Sequence, residues 1–267
     1  MKKIGLIGCG NIANGIVKAI NDKVINFKIV DLFDIKREKA ENLFKKIKDK
    51  SSLKISEDID TFLSNKKINL VVECASQKAV KDYAKKIILS KKDFMIMSVG
   101  ALVDENFFEK IRKLSERNKV KVYLPSGAIL GIDGLKAVKF TKINEVILTT
   151  TKNPINLGKG KLREKVIVFN GNAKEAVKKF PKNINVAALI SLTGVGFEKT
   201  KVRIVADPNV KENIHEIFVK GNFGEFNIKI KNLPSPENPK TSYLAILSAI
   251  TTLKEIEEEE KGIKIGT

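Results

Sequence analysis

The sequence predicts an α/β protein in two parts, a doubly wound parallel sheet followed by an α+β domain. Three observations carry that expectation. Short apolar runs alternate with amphipathic stretches from residue 1 to about 125. The first run ends in a glycine-rich turn. After about residue 135 the helical crossovers become less regular and β-branched segments dominate. The expected organisation is a dinucleotide-binding domain over 1–125, an α+β substrate domain over 126–240, and a C-terminal helix in 241–267. That helix is expected to pack back on the chain or to lie at a dimer interface.

Ile4-Gly5-Leu6-Ile7 is a short apolar run ending at glycine, which suits a buried strand. Residues 14–21 carry Ile16, Val17, Ala19 and Ile20 at helical spacing. Phe27-Lys28-Ile29-Val30 reads as a second strand, able to run on to Phe33. Residues 36–48 are helical, with Ala40, Leu43, Phe44 and Ile47 on one face. A short helix follows over 58–63, with Ser56 as its cap. Strands are predicted at 69–74, 94–98 and 120–124, with helices at 77–90 and 105–118 between them; Phe108, Ile111 and Leu114 face inward from the latter. Strands alternating with helices require a parallel sheet with crossover helices. In the second half, strands are expected at 145–151, 165–169 and 201–206, with a turn at Asn170-Gly171. Helices are expected at 173–179 and 185–192; residues 209–219 are mixed and 223–231 alternate. Residues 232–239 read as a loop with three prolines. A final helix over 241–260 would turn Leu244, Leu247, Ile250, Leu253 and Ile256 inward. Extended strands that can pair antiparallel, with a few helices, suggest an α+β domain.

Composition limits the function. The chain has 267 residues, 43% of them hydrophobic, enough for a sizeable core. No apolar run approaches the roughly 18 residues of a membrane span, and no signal peptide is visible, so a soluble cytoplasmic protein is expected. Two cysteines, Cys9 and Cys74, are too few for a disulfide framework or a thiolate metal site, and no metal is expected. Lys and Arg number 50 against 31 acids, a net charge of +19. The surplus is lysine spread along the whole chain; the arginines are only Arg37, Arg112, Arg117, Arg163 and Arg203. Arginine is the usual reader of bases, so a solvated lysine surface is favoured over a nucleic-acid surface. Such a surface still attracts anionic substrates and cofactors.

Gly8-Cys9-Gly10-Asn11-Ile12-Ala13 matches G-x-G-x-x-(G/A) between a predicted strand and a predicted helix. The first glycine permits the tight turn, the second lets backbone approach a pyrophosphate, and the small third residue packs helix on strand. The N-terminal part therefore reads as a Rossmann dinucleotide-binding domain, with Gly8, Gly10, Asn11 and Ile12 at the phosphates. The ribose acid should stand at the end of the second strand. Asp31 and Asp34 both qualify, and Asp34 is favoured. Lys36 and Arg37 follow closely and could pair with a 2′-phosphate, so the cofactor is NAD or NADP. Later strand ends, Cys74-Ala75-Ser76, Ser98-Val99-Gly100-Ala101 and Pro125-Ser126-Gly127-Ala128, are small and leave room for a ligand, although ordinary turns look the same.

The chain has one histidine, His215. A lone histidine is commonly a packing or surface residue, yet in a nicotinamide enzyme it is the side chain best suited to exchange a proton near neutrality. Thr241 or Ser242 can cap the last helix, and Lys240 beside a helix start would suit a carboxylate. A capped helix with a solvated lysine is the plainer alternative.

GCGNIA, VVECAS, SVGAL, LPSGAILGIDGL, NINVAALISL, ADPNVKENIHEI and ENPKTSYLAILSAI, in this order over nearly the whole chain, resemble the L-aspartate dehydrogenase family. The resemblance implies NAD(P)-dependent oxidative deamination of L-aspartate to iminoaspartate, with oxaloacetate and ammonia after hydrolysis. It also implies a link to NAD biosynthesis, a homodimer, and no nucleic-acid partner. The family's active-site histidine falls on His215, and its cofactor-contacting alanine and asparagine on Ala128 and Asn185. With the nicotinamide expected near Ala101, Ala128 and Asn185, and aspartate between the domains, Cys74 and Ala75 complete the cofactor set. Lys240, Thr241 and Ser242 are the candidate carboxylate ligands. A related nicotinamide enzyme acting on another small carboxylate stays open, as does a non-enzymatic NAD- or nucleic-acid-binding protein.

Overall fold

The structure, a computed structural model, describes residues 1–160, 162–180, 184–235 and 238–258, with 238–240 as backbone alone. Two compact units emerge: Met1–Pro125 with the final helix from Ile246, and Ser126–Ala245.

The first unit is built on six parallel strands: β1 (Lys2–Ile7), β2 (Phe27–Phe33), β3 (Lys54–Ile55), β4 (Leu70–Glu73), β5 (Asp93–Ile96) and β6 (Val122–Tyr123). Their order is β3-β2-β1-β4-β5-β6, so chain direction across the sheet reverses between β1 and β4. In such a sheet the ligand crevice lies outside the carboxyl ends at that switch point. Helices α1 (Asn11–Asn21), α2 (Arg37–Lys46), α3 (Ile59–Ser64), α4 (Gln77–Leu89) and α5 (Glu105–Asn118) make the crossovers. Period-two alternation divides the apolar strand residues between two faces. Ile4, Leu6, Ile29 and Val72 join Ile16 and Leu43 in one cluster, while Ile7, Val30, Val71 and Ile96 join Phe62, Ile87 and Ile111 in the other.

The second unit holds α6 (Ile132–Val138), β7 (Ile143–Lys152), β8 (Val166–Asn172), α7 (Ala173–Lys179), α8 (Asn185–Thr193), β9 (Lys201–Ala206), β10 (Asn213–Gly221) and β11 (Gly224–Asn232). Its sheet runs β11-β10-β7-β9-β8. The β7–β9 pair is parallel and the other three pairs are antiparallel, so the sheet is mixed where antiparallel pairing was expected. A small ribbon of β12 (Pro234–Ser235) and β13 (Asn238–Ser242) precedes α9 (Tyr243–Glu258).

Several local expectations are corrected. α1 begins at Asn11, three residues early, because the turn feeds straight into the helix. Asp58, not Ser56, caps α3, its side chain accepting the Thr61 N–H, while Ser56 is buried and donates to Asp31. β3 and α6 were not foreseen; β3 is held by pairing with β2 rather than by its own pattern. Asn170-Gly171 does not turn: β8 continues to Asn172, paired with β9 across a bulge. The proline-rich loop contains β12 and the start of β13; Thr241 and Ser242 end β13, and Ser242 directly precedes α9.

The inward face of α9 also differs. Ile246, Ala249, Leu253 and Ile256 are buried, whereas Leu247 is 39% exposed. From Ile246 the helix belongs to the core of the first unit. Ala249, Leu253 and Ile256 join the cluster of Ile4 and Ile16. Gly15 permits this: a Cβ there would lie 2.2 Å from Ile246 Cγ2. The Lys2 ammonium donates to the Ile256 carbonyl at 3.0 Å. The end of the predicted C-terminal segment, 259–267, lies outside the described residues. Leu253 is fully buried, so Leu253→Ala is expected to destabilise the protein by about 2–5 kcal/mol through lost burial and a residual cavity. Urea unfolding of the variant against wild type checks this, and a change below about 0.5 kcal/mol would mean the helix does not contribute to the core.

Candidate active site

β1 delivers the chain to the glycine turn. Gly8 has φ of +88°, and a Cβ there would come within 2.7 Å of the Ala75 backbone. Only glycine meets both demands. At Gly10 the constraint is opposite: a Cβ would meet nothing within 4 Å. The space beside that backbone is open where a pyrophosphate approaches. α1 starts next, with Asn11 and Ile12 half-buried. No side chain caps it and no acid stands in its first turn. Its positive end is thus left for an anion.

Asp34 stands one residue past β2. Its Oδ2 accepts the Cys9 N–H and its Oδ1 the Lys36 N–H, both at 2.8 Å. Asp31, the other candidate acid, is fully buried and accepts from Ser56 Oγ and Asn65 Nδ2, both at 2.8 Å. Burial pushes its pKa up, and the Lys54 ammonium lies 3.5 Å from Oδ2. It braces the sheet interior. Arg37 pairs with Glu41 and Glu57, each at 3.0 Å. A cavity of about 160 Å³ lies beside Asp34, lined by Gly8, Phe33, Ala75, Ser76 and Tyr83 among others.

Glu73, which the sequence reading passed over inside VVECAS, organises the neighbouring strand ends. Its carboxylate accepts the N–H groups of Ala75 and Ser76 at 2.8 Å, that of Ser98 at 3.0 Å, and the Ser98 hydroxyl at 2.8 Å. Burial raises its pKa, against those hydrogen bonds. Cys74 is half-buried and Ala75 exposed. Burial pushes the Cys9 thiol up to about 12 and the Cys74 thiol well above its usual value, so neither is a ready thiolate. Ala101 departs from expectation: it lies in a 3-10 turn, fully buried in the core with Ile7 and Val30, and its methyl serves packing. The open backbone at Gly10, the uncapped helix start and the acid-lined cavity together fit a dinucleotide.

In the second unit, cross-strand partners share a face. His215 on β10 pairs with Thr150 on β7 and Ile230 on β11. His215 is 2% exposed, and its Nδ1 shares a hydrogen bond of 3.0 Å with the Thr150 hydroxyl. Lys152, two residues along β7, has the same side buried and its ammonium acts on the imidazole. Burial pushes Lys152 down to about 8. Burial, and then the Lys152 charge, push His215 down to about 3, so the ring is neutral. Two residues before His215 on the same face is Asn213, whose Nδ2 donates to Ser242 Oγ at 3.2 Å. Asn213 pairs with Asn232, whose Nδ2 donates to the Ala128 carbonyl at 3.0 Å.

The second unit thus carries three separate buried hydrogen bonds on adjacent strands, His215 with Thr150, Asn213 with Ser242 and Asn232 with the Ala128 carbonyl. Thr241 is half-buried in β13, and Asn185 is the first residue of α8, half-buried, with Ile184 in the cap position. The side chain of Lys240 lies outside the described residues. Sequence reasoning missed Thr150, Lys152 and Asn213. A signal existed: in VILTTTK, alternation puts Lys152 on the face of Val146, Leu148 and Thr150. No group of acids, cysteines and histidine able to hold a metal occurs among the described residues.

Comparison with known proteins bears on the same regions. A family profile described as aspartate dehydrogenase, C-terminal, matches residues 133–256, and one described as homoserine dehydrogenase, NAD binding domain, matches residues 8–125. The chain is 45% identical over 278 residues to the L-aspartate dehydrogenase of Methanosarcina barkeri, and to that of Nitrosopumilus maritimus, across 100% of the chains in each case. The crystal structure of aspartate dehydrogenase from Thermotoga maritima is similar with a TM-score of 0.77 and 32% identity, over 100% of both chains.

The neutral histidine makes a stability prediction. In the unfolded chain it takes up a proton near 6.5, in the folded chain only near 3. Its contribution is fully present above about pH 6.5 and is lost as pH falls from there toward 3. Wild type should therefore lose unfolding free energy with acid more steeply than His215→Gln over that window. Denaturant unfolding at about pH 7, 5.5 and 4 tests it, and parallel pH profiles would contradict the buried, neutral assignment.

Proposed function

The chain belongs to the L-aspartate dehydrogenase family, and from that premise we propose that it oxidises L-aspartate to iminoaspartate with NAD as acceptor. Hydrolysis then gives oxaloacetate and ammonia, and the iminoaspartate would feed NAD biosynthesis. The observation that carries the reading is the neutral His215, hydrogen-bonded to Thr150 and flanked by the buried Lys152.

Gly8, Gly10, Asn11 and Ile12 would hold the pyrophosphate, and Asp34 the ribose. Cys74, Ala75, Ala128 and Asn185 would complete the cofactor contacts. The bound nicotinamide supplies the two-electron acceptor. Everything else falls to the chain's own side chains. Lys152 offers a buried positive charge to the substrate's carboxylates, joined by Thr241, Ser242 and Lys240. Thr150 fixes the imidazole. His215 takes a proton from the substrate amine, which must be neutral when its Cα–H bond breaks, or from the water that attacks the imine. A bound dicarboxylate would offset the Lys152 charge, the lesser of the two causes that depress His215, and so raise its basicity in part.

NAD is favoured over NADP because a carboxylate, Asp34, stands at the ribose position and Arg37 is engaged by two glutamates. A homodimer is supported by the outer face of the second sheet, where Ile147, Phe218 and Ile167 line a shallow depression with Arg203 and Glu216. Among the described residues no helix is long and apolar enough to cross a membrane; a cytoplasmic location is part of the proposal.

NADH formation with L-aspartate, beside malate and homoserine, tests the activity. His215→Ala is expected to lower kcat by about 10²–10⁴-fold with NAD binding retained. Turnover of another substrate and not of aspartate would overturn the substrate assignment. Asp34→Ala is expected to raise KM for NAD about tenfold and narrow the NAD to NADP ratio, since each 1.4 kcal/mol of lost hydrogen bonding is tenfold. An unchanged ratio would remove Asp34 from the ribose site.

A further inference from the structure

We propose that Asn213 binds the amine that is oxidised, its Oδ1 accepting an N–H of the substrate's α-amino group. This rests on the reading of the site given above, that of an NAD-dependent aspartate dehydrogenase. Asn213 is 1% exposed. Its Nδ2 is used, donating to Ser242 Oγ at 3.2 Å. Its Oδ1 is buried and has no hydrogen-bond partner among the described residues. Buried acceptors are nearly always satisfied, because one shut away from water without a donor is costly. An oxygen in this state calls for a ligand that brings its own N–H or O–H.

The surroundings narrow the ligand. Asn213 and His215 are two residues apart on β10, so both point to the same buried face. The β10–β7 register, Ile214 with Thr151 and His215 with Thr150, brings Lys152 level with Asn213. Asn232, the β11 partner of Asn213, spends its Nδ2 on the Ala128 carbonyl. One face thus presents an open acceptor, a cation and a neutral base. A group complementary to all three carries N–H, negative charge and a removable proton, which describes an α-amino carboxylate.

The acceptor also has a kinetic role. As the Cα–H bond breaks, the amine nitrogen develops iminium character and its N–H becomes a stronger donor. A fixed amide oxygen therefore binds the transition state better than the ground state. The same bond fixes rotation about Cα–N and so orients the nitrogen lone pair.

The test compares L-aspartate with succinate, which has both carboxylates and no amine. Binding is measured by calorimetry in the presence of NADH, so that no turnover occurs. Wild type is expected to prefer aspartate, and Asn213→Leu to lose about tenfold or more of that preference, as the loss of one hydrogen bond to a charged group implies. NADH affinity should not change, and kcat with aspartate should fall. Asn213→Asp keeps the acceptor at the same position and is expected to keep the preference, which serves if the leucine variant does not fold. Equal binding of succinate and aspartate by wild type, or undiminished preference in Asn213→Leu, overturns the assignment. Wild type that oxidises aspartate while showing either result loses only the role of Asn213. Wild type that does not oxidise aspartate loses the underlying reading as well.

Discussion

The nucleotide side of the first unit depends on one carboxylate with no access to water. Glu73 closes β4 and receives four hydrogen bonds from Ala75, Ser76 and Ser98. A charge out of water persists only where donors replace its hydration. The loops need the carboxylate just as much: without it three backbone N–H groups at two strand ends would lose their acceptor. One side chain therefore fixes the chain after β4 and after β5. With the backbone set this way, Ala75 can approach Gly8 to the limit that a missing Cβ allows. The side chains at these strand ends can stay small because the shape is held from below.

In the second unit the controlling constraint is the alternation of β7 and β10. Inward positions of β7 run Val146, Leu148, Thr150, Lys152, and those of β10 run Val219, Ile217, His215, Asn213. Both strands change from apolar to polar at the same level of the sheet, because the register pairs Thr150 with His215. The apolar end supplies rigidity and the polar end chemistry. That end holds a buried ammonium beside an imidazole whose pKa is depressed by burial first and by the Lys152 charge second.

What was legible in the sequence was local. The glycine turn and the ends of β2 follow from residues within one crossover, and α5, α7 and β9 have the predicted bounds. What escaped was set by distant partners. β3 exists through β2, and β13 exists through β12. The parallel β7–β9 pair arises because the chain leaves β7, passes through β8 and two helices, and returns between them. The inward face of α9 was legible at Leu253 and Ile256, but Ile246 and Ala249 were missed. Ile246 is accommodated because Gly15 on α1 has no Cβ to meet its side chain. The open oxygen of Asn213 depends on Ser242, 29 residues further on, and no local pattern reports it.

Lysine was the most misleading residue type. With 50 Lys and Arg in the chain, one more lysine in a strand draws no attention, and most are exposed or in surface pairs such as Lys18–Asp22 and Lys78–Asp82. Such pairs contribute little. Burial alone does not tell the buried lysines apart either. Lys92 is as buried as Lys152, 6% exposed in both cases, and burial lowers the pKa of both. Lys92, however, donates to the carbonyls of Asn65 and Ile68 at 3.0 and 3.4 Å and ties a loop to the sheet. Lys152 lies beside a neutral imidazole and level with an unsatisfied amide oxygen. The two buried cations differ in those neighbours, and it is the pairing of two strands, not the lysine itself, that brings those of Lys152 together.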